Sequence, residues 1–533
     1  MDSLPLGDPP DAFRFSEISL SDITQEITKS SSQARRADEV PQSICSATLP
    51  VIALYLHYIF NASLREASFP DIWKMSLIVA YNKIKSPTRP GDYRPILLLC
   101  YLSKVMEKLV SVQVKTFIEE KGLLDEFQTG YRANHSTQTA LLKLTDDIRV
   151  GIRNKQVTLL LLFDFSKAFD TVCHVRLLQK LRNLGFSLHT LRWFESYLST
   201  RSQSVLNQNS SRSSFSSTNR GVPQGSVLGP LLFALFINDI CILFGSNIFH
   251  ILYADDLQIY TRCSPYDLDE TAIRLSAVAD AILEWAVNNN LQLNLGKTKA
   301  IVFGSVPYIN KLESIARTYI MIGGVAVHFE SSVRNLGMIL DSKLSWREHV
   351  DHVCKKVNSV MYRLNFFKRS TNVNLRMHLV KSLVFPHIDY CSAVMSNISL
   401  EQDERLQKLV NRGIRYIYGL RRYDHITPYR RQLGWLTVPS RRTYMTACLT
   451  FKILSKKVPS YLAAFFRPNI SSRPDRIGRG PLEIPHYGNS DTLRKSFHIS
   501  AAFIWNSLPV TIRMLQSWLT FKSRLFLHLL HQS

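Results

Sequence analysis

Residues 248–260 read Ile-Phe-His-Ile-Leu-Tyr-Ala-Asp-Asp-Leu-Gln-Ile-Tyr. Apolar residues flank two adjacent carboxylates, Asp255 and Asp256. The pattern predicts two short strands around a tight turn, with the acidic pair at the turn. Two carboxylates at the tip of an apolar hairpin are costly unless something neutralises them, and a divalent cation does this best. Mg²⁺ accepts one or two carboxylates and fills its other sites with water and phosphate oxygens. Successive strand residues face opposite ways, so Asp256 is expected to point partly away from Asp255, as a looser ligand. A plain polar turn is the alternative reading.

Ninety residues earlier, 157–163 is the apolar run Val-Thr-Leu-Leu-Leu-Leu-Phe, followed by Asp164. A run this short and this apolar fits a buried central strand. A carboxylate at the end of such a strand can face the hairpin of Asp255, and the pairing gives a two-metal site. One metal would activate an attacking 3′-hydroxyl and the other would hold a triphosphate and its leaving group. A helix N-cap or a surface aspartate is the alternative for Asp164, as it is for Asp170. Between these carboxylates lies Gly221-Val222-Pro223-Gln224-Gly225-Ser226. Its glycines permit close backbone approach, and Gln224 offers both a donor and an acceptor to an incoming nucleotide or a templating strand. A tight turn opening a core helix is the other reading.

Composition agrees with a polyanionic partner. The chain has 533 residues, 45% hydrophobic and 11% aromatic, which excludes global disorder. Its net charge is +23, from 65 Lys+Arg against 42 Asp+Glu. Residues 401–533 hold 22 Lys+Arg and 7 Asp+Glu, so +15 of that charge sits in a quarter of the chain. Arg412, Arg415, Arg421, Arg422, Arg430, Arg431, Arg441 and Arg442 occur there in clusters. The few acidic residues are expected not to absorb them, which favours RNA or a hybrid duplex as partner. The eight cysteines show no CxxC spacing. No signal peptide or membrane-length apolar run is read, so an intracellular setting in nucleus or cytoplasm, without membrane, is expected.

Coarse periodicity predicts helices near 49–64, 102–119, 136–150, 174–184, 227–240 and 269–289. It predicts strands at 76–81, 157–163, 299–303, 318–322 and 325–329, and a nearly all-helical region from Trp346. Residues 1–46, with Ser30-Ser31-Ser32, read as a loosely ordered lead-in with one or two short helices. The serine-rich patch at 209–217 reads as a hairpin tip or surface loop.

Taken in order and spacing, Asp164–Asp170 with Thr171-Val172, Gly221–Ser226 and Tyr253–Asp256 resemble the reverse transcriptases of non-LTR (LINE-type) retrotransposons. Tyr93-Arg94-Pro95-Ile96 with Ser103–Lys108 looks like the family's fingers motif, and Gln128–Arg132 with His135-Ser136-Thr137 like the segment before the first palm strand. Trp285, Asn290–Asn294 and Lys297-Thr298-Lys299 resemble the next palm motif. Leu336-Gly337 with Leu344-Ser345-Trp346 and His349 resembles the primer-grip region and thumb entry. Asp389-Tyr390-Cys391, Asn411-Arg412, Asp424–Pro428 and Trp505–Pro509 resemble jockey-like elements.

The resemblance implies an α+β, right-hand polymerase fold: fingers and a palm with an antiparallel sheet over 65–337, a helical thumb over 338–400 and a basic helical region over 401–533, after an N-terminal extension over 1–64. It implies RNA-directed DNA synthesis with two Mg²⁺ ions (Mn²⁺ as substitute), an RNA template, a DNA primer and dNTPs. Asp164 and Asp255 would bind the metals, with Asp256 assisting. Phe169 falls at the aromatic gate that excludes a ribose 2′-hydroxyl. Gln224 and Gly225 would face the nucleotide or template, and Arg94 the triphosphate. Lys297 is either the proton donor to pyrophosphate or a surface lysine. Three segments depart from the family pattern: Tyr81–Lys85, Arg35–Glu39 and Gln128–Tyr131. No endonuclease domain is read before the polymerase, so the chain is expected to be part of an element. A decayed or domesticated remnant that only binds nucleic acid is the rival reading, and an intron maturase or telomerase-like enzyme a second.

Overall fold

The computed structural model describes residues 7–29, 38, 40–207, 211–312, 319–396, 398–469, 481–488 and 491–532. The expectations at Ser30–Ser32, Arg35–Ala37, Glu39, Asn209-Ser210 and Thr318 lie outside the described residues. The chain divides into two compact units. One comprises the chain up to Tyr131, Asp164–Gly245 and Val278–Asn294; the other comprises Arg132–Phe163, Ser246–Ala277 and the chain from Leu295 on.

The first unit holds a four-stranded sheet in the order Tyr93–Leu99, Met75–Asn82, Arg201–Val205, Ser216–Thr218. Met75–Asn82 pairs antiparallel with Tyr93–Leu99 and parallel with Arg201–Val205. Aromatic rings build the core beside it. Trp193 stacks on Tyr197 at 5.8 Å, and Phe69 meets both edge-on. Helix Leu228–Ile237 is buried on all sides but Pro230, as its uninterrupted apolar sequence requires.

The lead-in is docked rather than loose over its described stretch from residue 7 to 29. The Phe13 amide donates to the Gly185 carbonyl, and Phe13 accepts in turn from the Ser187 amide. Ile18, Ile23 and Ile27 are buried, and Asn61 pairs with both backbone polar groups of Ile18. These anchors are single apolar residues spaced through a polar segment, so no periodic signal marks them. The two short helices expected there are present, at Leu20–Lys29 and Gln42–Ala47.

The second unit is built on an antiparallel sheet in the order Lys299–Phe303, Val157–Phe163, Asp256–Cys263, Phe249–Tyr253. The central strand matches its predicted bounds, and six of its seven residues are buried. It pairs from Val157↔Cys263 to Phe163↔Leu257, and Asp256–Cys263 continues into the hairpin that closes at Tyr253↔Asp256. Two further hairpins follow, Tyr319–Ile322 with Val325–His328 and Ser332–Asn335 with Met338–Asp341. From Arg347 the regular elements among the described residues are helical, as predicted. Their first core gathers Val350, Val357, Met361, Val380, Leu406, Val410 and Ile414. Among the described residues no helix is long and apolar enough to cross a membrane.

Helix Thr137–Arg153 turns Leu141, Leu144 and Ile148 into the core and carries two buried carboxylates. Asp147 accepts from the Tyr260 hydroxyl at 2.5 Å and from Lys143 at 2.8 Å, and pairs with Arg262 at 3.1 Å. Asp146 accepts from the backbone amides of Phe497 and His498, at 2.7 and 3.0 Å, and from His498 Nδ1 at 2.8 Å. It also faces Arg149 at 3.4 Å. One buried anion therefore satisfies the orphan donors that open helix Phe497–Ser507.

Asp146→Ala strands those amides and removes the carboxylate that faces Arg149. The expected loss is about 3–5 kcal/mol, with amide exchange in Phe497–Ser507 rising first. Denaturant unfolding with hydrogen exchange checks it; an unchanged midpoint and unchanged protection contradict the anchoring role.

Candidate functional site

In the second unit, Asp255 occupies the turn of a two-residue hairpin and is half-buried, while Asp256 begins the next strand and is exposed. The pair thus differs in environment, because one carboxylate belongs to the turn and the other to the strand that leaves it. A loop of two residues needs left-handed backbone, and Ala254 supplies it at φ +58°. That conformation is strained for a residue with a Cβ, and it lies directly beside Asp255. Lys297 lies exposed in the turn between Gln292–Leu293 and Lys299–Phe303.

In the first unit, Asp164 is half-buried, and its carbonyl accepts from the Asn294 amide at 2.8 Å. Its neighbours Phe165-Ser166 pair with Gln292–Leu293. Arg94 is exposed on Tyr93–Leu99, opposite Tyr81. Phe169 is half-buried, stacked on Phe233 at 4.4 Å, with Tyr131 edge-on at 6.3 Å. Two aromatic neighbours hold its ring in one orientation.

The structure brings Asp170 and the Gly221–Ser226 loop together, which the sequence reading did not foresee. Asp170 is no surface cap. Its Oδ1 accepts from Gln224 Nε2 at 2.8 Å, and burial pushes its carboxyl above the usual range while Gln224 and Lys167 oppose that shift. The Gly221 amide donates to Val172 and the Val222 amide to Phe169, both at 2.8 Å. Gly221 has φ +84°, and a Cβ there would lie 2.8 Å from the Asp170 carbonyl oxygen. Gly225 has φ +110°, and its Cβ would fall 2.6 Å from the Leu97 oxygen. The two glycines are required by close backbone approach on both sides of Gln224. Lys167, Asp170, Gln203, Arg220 and Gln224 line a cavity of about 270 Å³ beside this loop.

Glu107 was quoted in the fingers motif without a role, and it has one. The carboxylate is fully buried and accepts from the Val227 and Leu228 amides, at 2.7 and 3.2 Å, and from Ser103. It therefore fixes the helix start immediately after the Gly221–Ser226 loop. Burial raises its pKa, and Arg201 opposes that. The signal available was an acidic residue at the centre of an otherwise apolar helix face, Val105-Met106-Glu107 with Val110.

In the second unit, His349 is buried and held down to about 4 by that burial, so it is neutral, and its Nδ1 accepts from the Ile339 amide. Asp341 gathers the amides of Lys343, Ser345 and Trp346 into the turn that starts helix Arg347–Phe366. The arginine clusters are partly absorbed after all. Arg441 pairs with Asp389 and Arg442 with Asp403, while Arg430 is buried and donates to the Trp435 carbonyl. Arg421, Arg422 and Arg431 are exposed.

The reverse transcriptase (RNA-dependent DNA polymerase) family model matches residues 83–340. The chain is 28% identical to the probable RNA-directed DNA polymerase from transposon X-element of Drosophila melanogaster, over 78% of this chain and 46% of that protein. It is 31% identical to the corresponding probable polymerase from transposon BS of Drosophila melanogaster, over 74% and 44%. It is 26% identical to the RNA-directed DNA polymerase from mobile element jockey of Drosophila melanogaster, over 78% and 46%. The chain thus spans less than half the length of these relatives. A telomerase structure from Candida albicans, with a TWJ fragment of telomeric RNA, aligns over 77% of this chain and 66% of that one, at 13% identity and a TM-score of 0.37. The described elements combine helices with sheets whose pairings are largely antiparallel, as an α+β fold requires. The matched segment contains Arg94, Asp164, Phe169, Gln224, Asp255, Asp256 and Lys297, and over it the chain is similar to the RNA-directed DNA polymerases of non-LTR retrotransposons.

Proposed function

We propose that the chain is an RNA-directed DNA polymerase that extends a primer 3′-hydroxyl with dNTPs on an RNA template. The observation that carries this reading is the reverse transcriptase match over 83–340, which includes both the Asp255-Asp256 turn and Asp164. Asp164 is joined by a peptide bond to Phe163, and the strand partner of Phe163 is Leu257, the residue after Asp256.

Asp164 and Asp255 are the metal ligands of the proposal, with Asp256 assisting. A set of hard carboxylate oxygens in an apolar hairpin suits Mg²⁺, and Mn²⁺ accepts the same donors. Two such ions would supply the positive charge that acidifies the primer hydroxyl and stabilises the leaving pyrophosphate. In the reaction, the 3′-oxygen bonds to the α-phosphorus, the α–β phosphoanhydride bond breaks, and the hydroxyl proton is lost. Lys297 returns a proton to pyrophosphate in this account, and Arg94 engages the triphosphate. Phe169, clamped between Tyr131 and Phe233, excludes a 2′-hydroxyl, and Gln224 and Gly225 meet the nucleotide or template.

Residues 65–337 are the fingers and palm of the proposal, 338–400 the thumb, and 401–533 a basic region whose exposed Arg421, Arg422 and Arg431 face nucleic acid. An enzyme that draws on RNA and dNTPs works in the nucleus or cytoplasm.

Purified protein is expected to extend oligo(dT) on poly(rA) with Mg²⁺. Asp164→Asn and Asp255→Asn each lower that rate at least about a thousandfold while RNA binding persists. Extension by either variant at near the wild-type rate contradicts the assignment. Phe169→Ala raises ribonucleotide incorporation relative to dNTPs about tenfold or more. Unchanged discrimination in single-nucleotide incorporation removes Phe169 from the gate.

A further inference from the structure

We infer that Asp170 is a positioning residue: it locks the Gln224 amide so that its carbonyl oxygen is presented as a hydrogen-bond acceptor to a hydroxyl or amino group of the bound deoxynucleoside triphosphate. This rests on the polymerase reading above and deepens it.

An ionised carboxylate can only accept, so the amide edge facing Asp170 Oδ1 at 2.8 Å must be Nε2. The other edge, Oε1, is then fixed by covalent geometry on the opposite side. Without Asp170 a glutamine amide can flip and present a donor or an acceptor with similar ease. The backbone of the same residue is held independently. Its carbonyl accepts from the Leu97 amide at 2.9 Å, and the loop is tied to Phe169 and Val172 through Val222 and Gly221. Gln224 is thus pinned at its backbone and at one side-chain edge, which leaves one polar direction for a ligand. Gln224 lines a cavity whose wall also includes Lys167 and Arg220, cations suited to a phosphorylated ligand. The segment Ala168–Thr171 carries Phe169 and Asp170 side by side. One short helix thereby sets both the aromatic ring and the glutamine.

The test is equilibrium binding of radiolabelled dTTP to the full chain. The protein carries a dideoxy-terminated oligo(dT) on poly(rA), and Ca²⁺ replaces Mg²⁺ so that no incorporation occurs. Asp170→Ala is expected to weaken dTTP binding about tenfold, and Gln224→Ala by a similar factor. The double variant should be no weaker than Gln224→Ala alone, because Asp170 acts through that side chain. Asp170→Asn, whose Oδ1 can still accept from Nε2 but whose own amide can also turn its donor edge to Gln224, should restore binding in part, to a loss of about threefold. Additive losses in the double variant, or an Asp170→Asn as weak as Asp170→Ala, overturn the inference. A wild-type chain that does not bind dTTP overturns it as well. A wild-type chain that binds dTTP yet extends no primer overturns the polymerase reading and leaves the binding cycle to judge Asp170.

Discussion

The registration of Val157–Phe163 against Asp256–Cys263 is the constraint on which the rest depends. The ladder runs from Val157↔Cys263 to Phe163↔Leu257, so the central strand ends one position short of the hairpin that carries Asp255 and Asp256. Apolar burial enforces that alignment. Six of seven residues in the strand are buried, so both of its faces are covered, and a slip of one residue would exchange the side chains packed on each face. Buried hydrogen bonds reinforce it: Gln258 accepts from Asn335, and Tyr260 donates to Asp147. Asp255 and Asp256 sit at the turn, where charge reaches the edge of the apolar sheet, and the left-handed Ala254 keeps that turn to two residues.

A second set of constraints works on neutral groups. The Gly221–Ser226 loop is held from three sides, by Phe169 and Val172, by Leu97, and by Glu107 through the helix that follows. Each tie is a backbone hydrogen bond or a buried carboxylate on backbone amides. Such bonds are costly to break away from water, so they fix Gln224 more firmly than surface contacts would. The same device recurs in the second unit, where Asp146 holds the start of Phe497–Ser507. The C-terminal helices are thereby part of the unit's core, with Trp505, Phe451 and Phe521 packed together.

Legibility in the sequence followed physical cause. Val157–Phe163 and Lys299–Phe303 were read at their observed bounds because they are short apolar runs with no competing helical period. The helices at 49–65, 101–120, 137–153 and 268–288 were found within three residues at each end, since their apolar faces recur at helical spacing. Tyr93–Leu99 was missed as a strand because Arg94 and Pro95 interrupt it, yet it pairs along its whole length with Met75–Asn82. Arg201–Val205 and Ser216–Thr218 are polar strands whose pairing is imposed by neighbours rather than by their own pattern. The hairpin Ser332–Asn335 with Met338–Asp341 was hidden behind Leu336-Gly337, both with positive φ, because leucine is a poor signal for such a turn. Asp164, Asp255 and Asp256 are proposed as ligands from residue type and place in the sequence alone. The roles of Asp170, Glu107 and Asp146 were not legible there, because each acts through a partner far away in sequence.

In the proposed polymerase, Asp164 and Asp255 serve the same pair of divalent ions. Replacing Mg²⁺ with Fe²⁺ and generating hydroxyl radicals with ascorbate and peroxide cuts the backbone near bound metal. Peptide mapping of the full chain should find cuts at residues 163–165 and 254–257 together, both suppressed by excess Mg²⁺ and both lost in Asp255→Asn. Cuts at one segment alone, or cuts at Asp164 that survive Asp255→Asn, would contradict the claim.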